Sequence, residues 1–241
     1  ILATFELWKP GMQNPGDMLM SVYRIFELNE AWLRGVLYPR FGPNLYFGYG
    51  APLFQFYPPL SSYIGIAFYK LGFGFIASAK LVLSVNLLLA GLGIYGYLRW
   101  LTGRRIGSVT GAILFMFSAY ILVVVYERGA VAESTALAIM PWLFWAMHRQ
   151  VHRKSFVAIC VTAVLVALLM LAHNISALFM VPVATLYAGL LALHARQYRS
   201  LLLMGAALLL GLALSAFYWA PALAELRYSR AESMMLGNMT I

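Results

Sequence analysis

Six apolar runs set the pattern of the chain, at about 75–98, 106–126, 134–147, 155–172, 177–193 and 200–220. A bilayer-spanning helix needs ~20 residues, with ~17 as the usual lower limit. The runs therefore predict an all-α polytopic membrane protein with about six full spans, the short run at 134–147 extending into its flanks. The links between runs alternate in character. "RWLTGRR" (99–105), "HRQVHRK" (148–154) and "HARQYR" (194–199) are basic, whereas "ERGAVAES" (127–134), "HNIS" (173–176) and the tail after Pro221 are mixed or neutral. Arginine and lysine collect on the cytoplasmic side of membrane proteins. The basic links are accordingly expected inside and the others outside.

The opening "ILATFELWKPG" reads as the end of a truncated first span, with Trp8 and Lys9 at the interface, so the sequence is expected to be a fragment of a longer chain. The domain map is then one transmembrane unit over 1–241: an external or interfacial loop at 10–74, a six-span bundle at 75–220 and an external segment at 221–241. "PLSSYIGIAFYKLGFG" (59–74) starts at Pro58-Pro59 and carries Lys70 near its end. It is short for a span and is expected to lie at the interface. With that choice Asp17, Arg24, Glu27, Arg40, Glu127, Arg128, Glu133, His173, Asn174 and Glu225 all fall on one side of the membrane. Charged groups at the boundary are costly unless solvated, paired or used, so the set suggests a polar site.

Composition agrees with the pattern. Of 241 residues, 63% are hydrophobic and 10% charged, against roughly half and a quarter in soluble domains. The net charge of +9 sits in short clusters between apolar runs, which marks topology rather than a nucleic-acid site. Cys160 is the single cysteine, which excludes an intrachain disulfide and a thiolate cluster. Asn174-Ile-Ser and Asn238-Met-Thr fit the glycosylation pattern, the first too close to a span to be used. Lys80 is expected to snorkel. Asn86 is expected to bond another helix, and Gly91, Gly93 and Gly96 to allow close packing.

The first loop carries the candidate chemistry. Pro15-Gly16 form a turn and Asp17 is placed to cap a helix. Ile25, Leu28 and Trp32 share one face of that amphipathic surface helix, and Arg24, Glu27 and Ala31 another. Asp17 has two open roles: a cap worth ~1 kcal/mol, or a carboxylate acting as general base or metal ligand. "LYPRFGPNLYFGYGAPLFQFYPPL" (37–60) follows, dense in proline and aromatic residues, with Arg40 its one charge. Prolines fix φ, glycines 42, 48 and 50 permit turns, and polar-tipped aromatics suit the headgroup boundary. A stiff interfacial plate holding Arg40 suits recognition of a lipid phosphate.

These residues also carry a resemblance. "GDMLMSVYRIFEL", "AWLRGVLYPRFGPNLYFGYGAPLFQFYPPLSSY", "YERGAVAESTALAIMPWLFWAMHR" (126–149), "LAHNISALFMVP" (171–182) and "SAFYWAPALAELRYSR" (215–230) resemble a bacterial membrane family labelled 6-pyruvoyl-tetrahydropterin-synthase-related. Nothing here resembles the active site of the soluble pterin synthase. The family is similar to the GT-C class of membrane glycosyltransferases. The resemblance implies a GT-C-like bundle in the bacterial inner membrane with its site on the extracytoplasmic face, and a polyprenyl-phosphate sugar as donor. It puts Asp17 in the position of the base and Glu133 in that of a second acid. Arg24, Arg40 and Arg128 become the phosphate-binding cations, and His173, Asn174 and Tyr57 the residues that orient the acceptor. Gly16 and Ser21 stand where the family often has histidine. No obligatory metal is therefore expected, although a divalent ion stays open.

Two further readings stay beside this one. The alternative, ranked second, is a non-catalytic GT-C-like scaffold or accessory subunit of a larger membrane complex, with other membrane subunits as partners. A transporter ranks last, since the runs at 106–126 and 155–172 hold no charge and no inverted repeat is visible.

Overall fold

The computed structural model describes residues 2–12 and 16–225. Pro15, Asn238 and the expected external segment beyond Glu225 lie outside the described residues. Among those described there are eleven α-helices and no β-strand. The helices are α1 (Gly16–Leu33), α2 (Leu53–Phe56), α3 (Leu60–Lys70), α4 (Phe75–Thr102), α5 (Arg105–Met116), α6 (Ala119–Leu122), α7 (Val131–His152), α8 (Phe156–Ala172), α9 (Asn174–His194), α10 (Tyr198–Leu214) and α11 (Ala216–Glu225). A 3-10 turn covers Leu2–Trp8, and a π-helical turn, Val123–Glu127, continues α6.

The apolar runs became helices, but not six uniform spans. Among the described residues only α4 and α9 are long and apolar enough to cross a membrane by themselves, and up to four crossings result if each bent pair counts as one. The run at 106–126 breaks at Phe117-Ser118, where α5 and α6 meet at 46°. The run at 200–220 turns by 70° at Ser215, whose hydroxyl bonds back to Gly211 O (3.1 Å) and so competes with the helical ladder. α8 has only 17 residues. α7 has the length, 22 residues, but its polar ends lower its mean hydropathy. α3, with 11 residues, covers ~16 Å, about half of a hydrocarbon core. It tucks under α1, where any side chain at Gly65 would strike Ile25.

Two apolar cores share α7. In the first, Ile25 and Leu28 of α1 pack with Ile66 of α3 and Val82, Leu83 and Leu87 of α4. In the second, Leu143 and Met147 of α7 pack with Val166 and Leu169 of α8, Met204 of α10 and an alanine stripe on α9. Alanines at 177, 184, 188 and 192 let α9 approach closely, the usual device where lipid gives no hydrophobic drive between helices.

Some interior polar groups are bonded between helices, whereas the Gln150 amide and the Ser78 and Thr162 hydroxyls have no partner among the described residues. Asn86 donates to Ser134 and Thr135 (2.9 Å each), as its depth suggested. Gly93 makes room for Trp142, whose indole nitrogen would lie 2.7 Å from an added Cβ, and Gly91 for Met116; Gly96 is in looser contact. Tyr97, His148 and Tyr187 tie α4, α7 and α9 together, with His148 Nδ1 3.0 and 2.7 Å from the two hydroxyls.

Three local expectations change. Asp17 is the second residue of α1 rather than its cap, so its carboxylate is available to another element. Glu27 is buried, not on a solvated face, because loop 41–44 covers it and Asn44 donates to it (3.3 Å). Lys80 does not snorkel; it is buried and donates to the backbone oxygen of Lys9 (2.7 Å).

Candidate functional site

The turn between α6 and α7 shapes the site. The π-helical turn wraps one residue wider than an α-helix, Arg128 N–H to Val123 O (2.9 Å), and the chain then opens further, Ala130 N–H bonding Val124 O six residues back (2.9 Å). Such turns recur at functional positions. Gly129 follows at φ +58°, the left-handed region that favours glycine, and a Cβ there would stand 2.7 Å from that of Met18. α1 therefore docks its first turn directly on this bend, which brings Asp17 and Arg128 together across more than a hundred residues.

Arg128 holds two carboxylates. Its Nη2 is 2.9 Å from Asp17 Oδ2 and its Nη1 is 2.7 Å from Glu133 Oε2. Asp17 and Glu133 each lie in the first turn of a helix, where the macrodipole favours negative charge. The two differ in access: the Asp17 side chain is 51% exposed and that of Glu133 8%. Glu133 also accepts a bond from the Tyr120 hydroxyl. Ser21, one turn into α1, bonds to the backbone oxygen of Asp17 (3.0 Å) and leaves the carboxylate unobstructed.

A second cation stands beside the first. The Arg24 guanidinium carbon lies 3.4 Å from the centre of the Tyr57 ring, a close cation–π contact. Arg24 Nε is buried with no acceptor among the described residues. Burial lowers the Arg24 pKa, and Tyr57 and Asp17 oppose that. Burial raises that of Tyr57, partly offset by Arg24, so the phenol stays a neutral donor. Asp17, Glu133 and Arg128 also act on Tyr57 electrostatically.

His173 closes the group from the α8–α9 turn. It caps α9 by accepting the Ser176 backbone N–H on Nδ1 (3.3 Å). A backbone amide can only donate, so the ring proton of the neutral form is on Nε2. Burial lowers its pKa; Glu133 and Asp17 push it up, and Arg128 pushes it down. Histidine, arginine and both carboxylates thus act within one field.

Six sequence candidates converge here: Asp17, Arg24, Tyr57, Arg128, Glu133 and His173. Arg40 and Asn174 do not. Arg40 faces Glu225 of α11 (3.6 Å), which also accepts from Gln55 (2.7 Å). Asn174 bonds the N–H of Ile175 (3.0 Å) and lines a groove of about 790 Å³ formed with Phe56, Leu178, Tyr218 and Trp219. The groove adjoins the cluster, since Phe56 precedes Tyr57 and Asn174 follows His173. Tyr120 escaped notice because it sits inside an apolar run. Ser118, a helix-starting residue two positions earlier, was the available signal. Among the described residues no three His, Cys, Asp or Glu side chains are grouped to hold a metal ion.

A family model for a 6-pyruvoyl-tetrahydropterin synthase related domain, a membrane protein, matches residues 54–235. The chain belongs to this family. An uncharacterized protein of Lactococcus lactis subsp. cremoris is 26% identical to this 6-pyruvoyl-tetrahydropterin synthase related chain over 191 residues. That match covers 78% of the chain but only 31% of the relative's length. No solved structure matches the family member. Its membrane location follows from the family and from the apolar helices.

Proposed function

We propose that this chain forms the membrane-embedded part of a GT-C-like glycosyltransferase. It moves a sugar from a polyprenyl-phosphate donor to an acceptor on the extracytoplasmic face of a bacterial inner membrane. α4, the α5–α6 pair, α7, α8, α9 and the α10–α11 pair are then six crossings, with the mixed-charge turns outside. The observation that carries the reading is the two carboxylates on Arg128, one exposed and one buried, beside a second arginine with a buried, unbonded nitrogen.

In this reading Asp17 takes the acceptor's proton as the acceptor oxygen bonds to the anomeric carbon. The bond from that carbon to the phosphate oxygen breaks, and the electron pair leaves with the lipid phosphate. Arg128 and Arg24 stabilise the departing dianion, so no general acid is required. Glu133 and Tyr120 fix the guanidinium of Arg128, and the Tyr57 hydroxyl and His173 Nε2–H orient the acceptor. The groove beside Tyr57 takes the isoprenoid tail. Arg40, paired with Glu225, ties the plate to α11 and keeps that groove's rim in place.

One observation favours the scaffold reading. Arg128 satisfies both carboxylates, as a purely structural staple between α1 and α7 also would. Sugar transfer by purified protein with a polyprenyl-phosphate sugar decides between the two. Loss of transfer in Asp17→Asn with unchanged thermal stability supports catalysis. Full activity in that variant removes Asp17 as the base, and no transfer by wild type together with fixed stoichiometric protein partners leaves the scaffold.

A further inference from the structure

The opposite end of the bundle carries charge that the proposed reaction does not use. From Ser134 to Ala224 the sequence contains no Asp or Glu. The links 99–105, 148–154 and 194–199 supply arginines and one lysine, and none of these forms an ion pair with a carboxylate among the described residues. The site described above contains two acids and lies about 24 Å away along α7, sixteen residues at ~1.5 Å each.

One of these cations borders a groove. α7 and α8 run antiparallel and enclose an apolar trough of about 430 Å³. Trp142, Trp145, Cys160, Val161 and Leu165 line it, and Arg149 and Ser155, both exposed, also border it, which puts them at its open mouth. Val157, Val161 and Val164 remain exposed, so this face meets whatever surrounds the bundle. In a membrane protein that is lipid, and basic pockets between spanning helices take anionic headgroups.

We propose that the α7–α8 groove is a binding site for an anionic phospholipid. One acyl chain lies in the trough and the phosphate pairs with the Arg149 guanidinium. Charge selects the occupant: the mouth offers a cation with no competing acid, and Arg153 and Lys154 follow in the same link. An arginine engages phosphate through two parallel bonds, so a zwitterionic lipid, whose ammonium repels the neighbouring cations, binds more weakly.

The test is native mass spectrometry of protein released from nanodiscs of phosphatidylglycerol and phosphatidylcholine in equal parts. Wild type should retain phosphatidylglycerol. Arg149→Ala should reduce that retention roughly tenfold, the loss of one charge-assisted contact. Val161→Trp should do so by filling the trough, while Arg105→Ala, at the same end but off the groove, should not. Should Arg149→Ala fail to fold, Arg149→Gln and Val161→Trp carry the same test. Equal losses from Arg149→Ala and Arg105→Ala would mean general surface attraction and overturn the site. Equal retention of both lipids, or a bound protein segment in place of lipid, would overturn it as well.

Discussion

Arg128 and Arg149 stand just before the start and near the end of the same helix, and they are held in opposite ways. Arg128 is fixed between two carboxylates contributed by α1 and α7. Arg149 is exposed, lies at a groove mouth and has no carboxylate partner among the described residues. The first arrangement costs side-chain freedom and yields a defined geometry, which a reaction needs. The second leaves a mobile cation for a ligand that arrives from the bilayer. The contrast teaches that net charge says little about chemistry. The most basic part of the molecule is a surface, and the part with nearly balanced charge holds the candidate site.

The sharpest break of this comparison is catalytic. Asp17→Asn should lower transfer by about 10²–10⁴-fold, the range for a lost general base, measured on the polyprenyl-phosphate donor. Next comes stability. Arg128→Ala leaves Glu133 nearly buried without its cation and should cost about 2 kcal/mol, read from thermal unfolding in detergent. The half-exposed partner matters less: Asp17→Ala should cost under ~1 kcal/mol.

A smaller effect concerns pH. Burial depresses the His173 pKa, so between that value and the ordinary ~6.5 the unfolded chain binds more protons than the folded one. Stability therefore rises with pH through that window and is lost as pH falls through it. Protonation of Nδ1 also removes the cap of α9. His173→Gln should flatten the slope of stability against pH below neutrality. Smallest of all, Arg149→Ala should change unfolding by less than ~0.5 kcal/mol, as expected of an unpaired surface cation.

Helix positions were legible because apolar runs and basic links are one-dimensional signals. Their bends were not. The turn at Ser215 depends on how its side chain competes for backbone bonds, which hydropathy ignores, and the break at Phe117-Ser118 leaves no mark in an apolar run. Of the six candidate side chains that met, Asp17, Tyr57, Arg128, Glu133 and His173 lie at or next to a helix end and Arg24 lies two turns into α1, and the alternation of links suggested grouping them. Arg40 was misleading because the link pattern does not report partners, and its own, Glu225, is almost two hundred residues away. The burial of Glu27 was not legible because a helix wheel cannot foresee a loop folding back over it. Tyr120 was hidden inside a run that looked uniformly apolar.

The plate at 37–60 is held largely through its main chain. Trp32 and Tyr63 both donate to the oxygen of Leu37 (3.0 and 2.7 Å), Tyr38 to that of Phe54 (2.9 Å) and Tyr218 to that of Phe56 (3.0 Å). Every residue type offers a carbonyl at these places, so substitution there leaves the grip intact. Evolution can thus rewrite what this loop displays one side chain at a time while its path stays put. Relatives would be expected to vary in what the loop displays and to agree in the donors that grasp it.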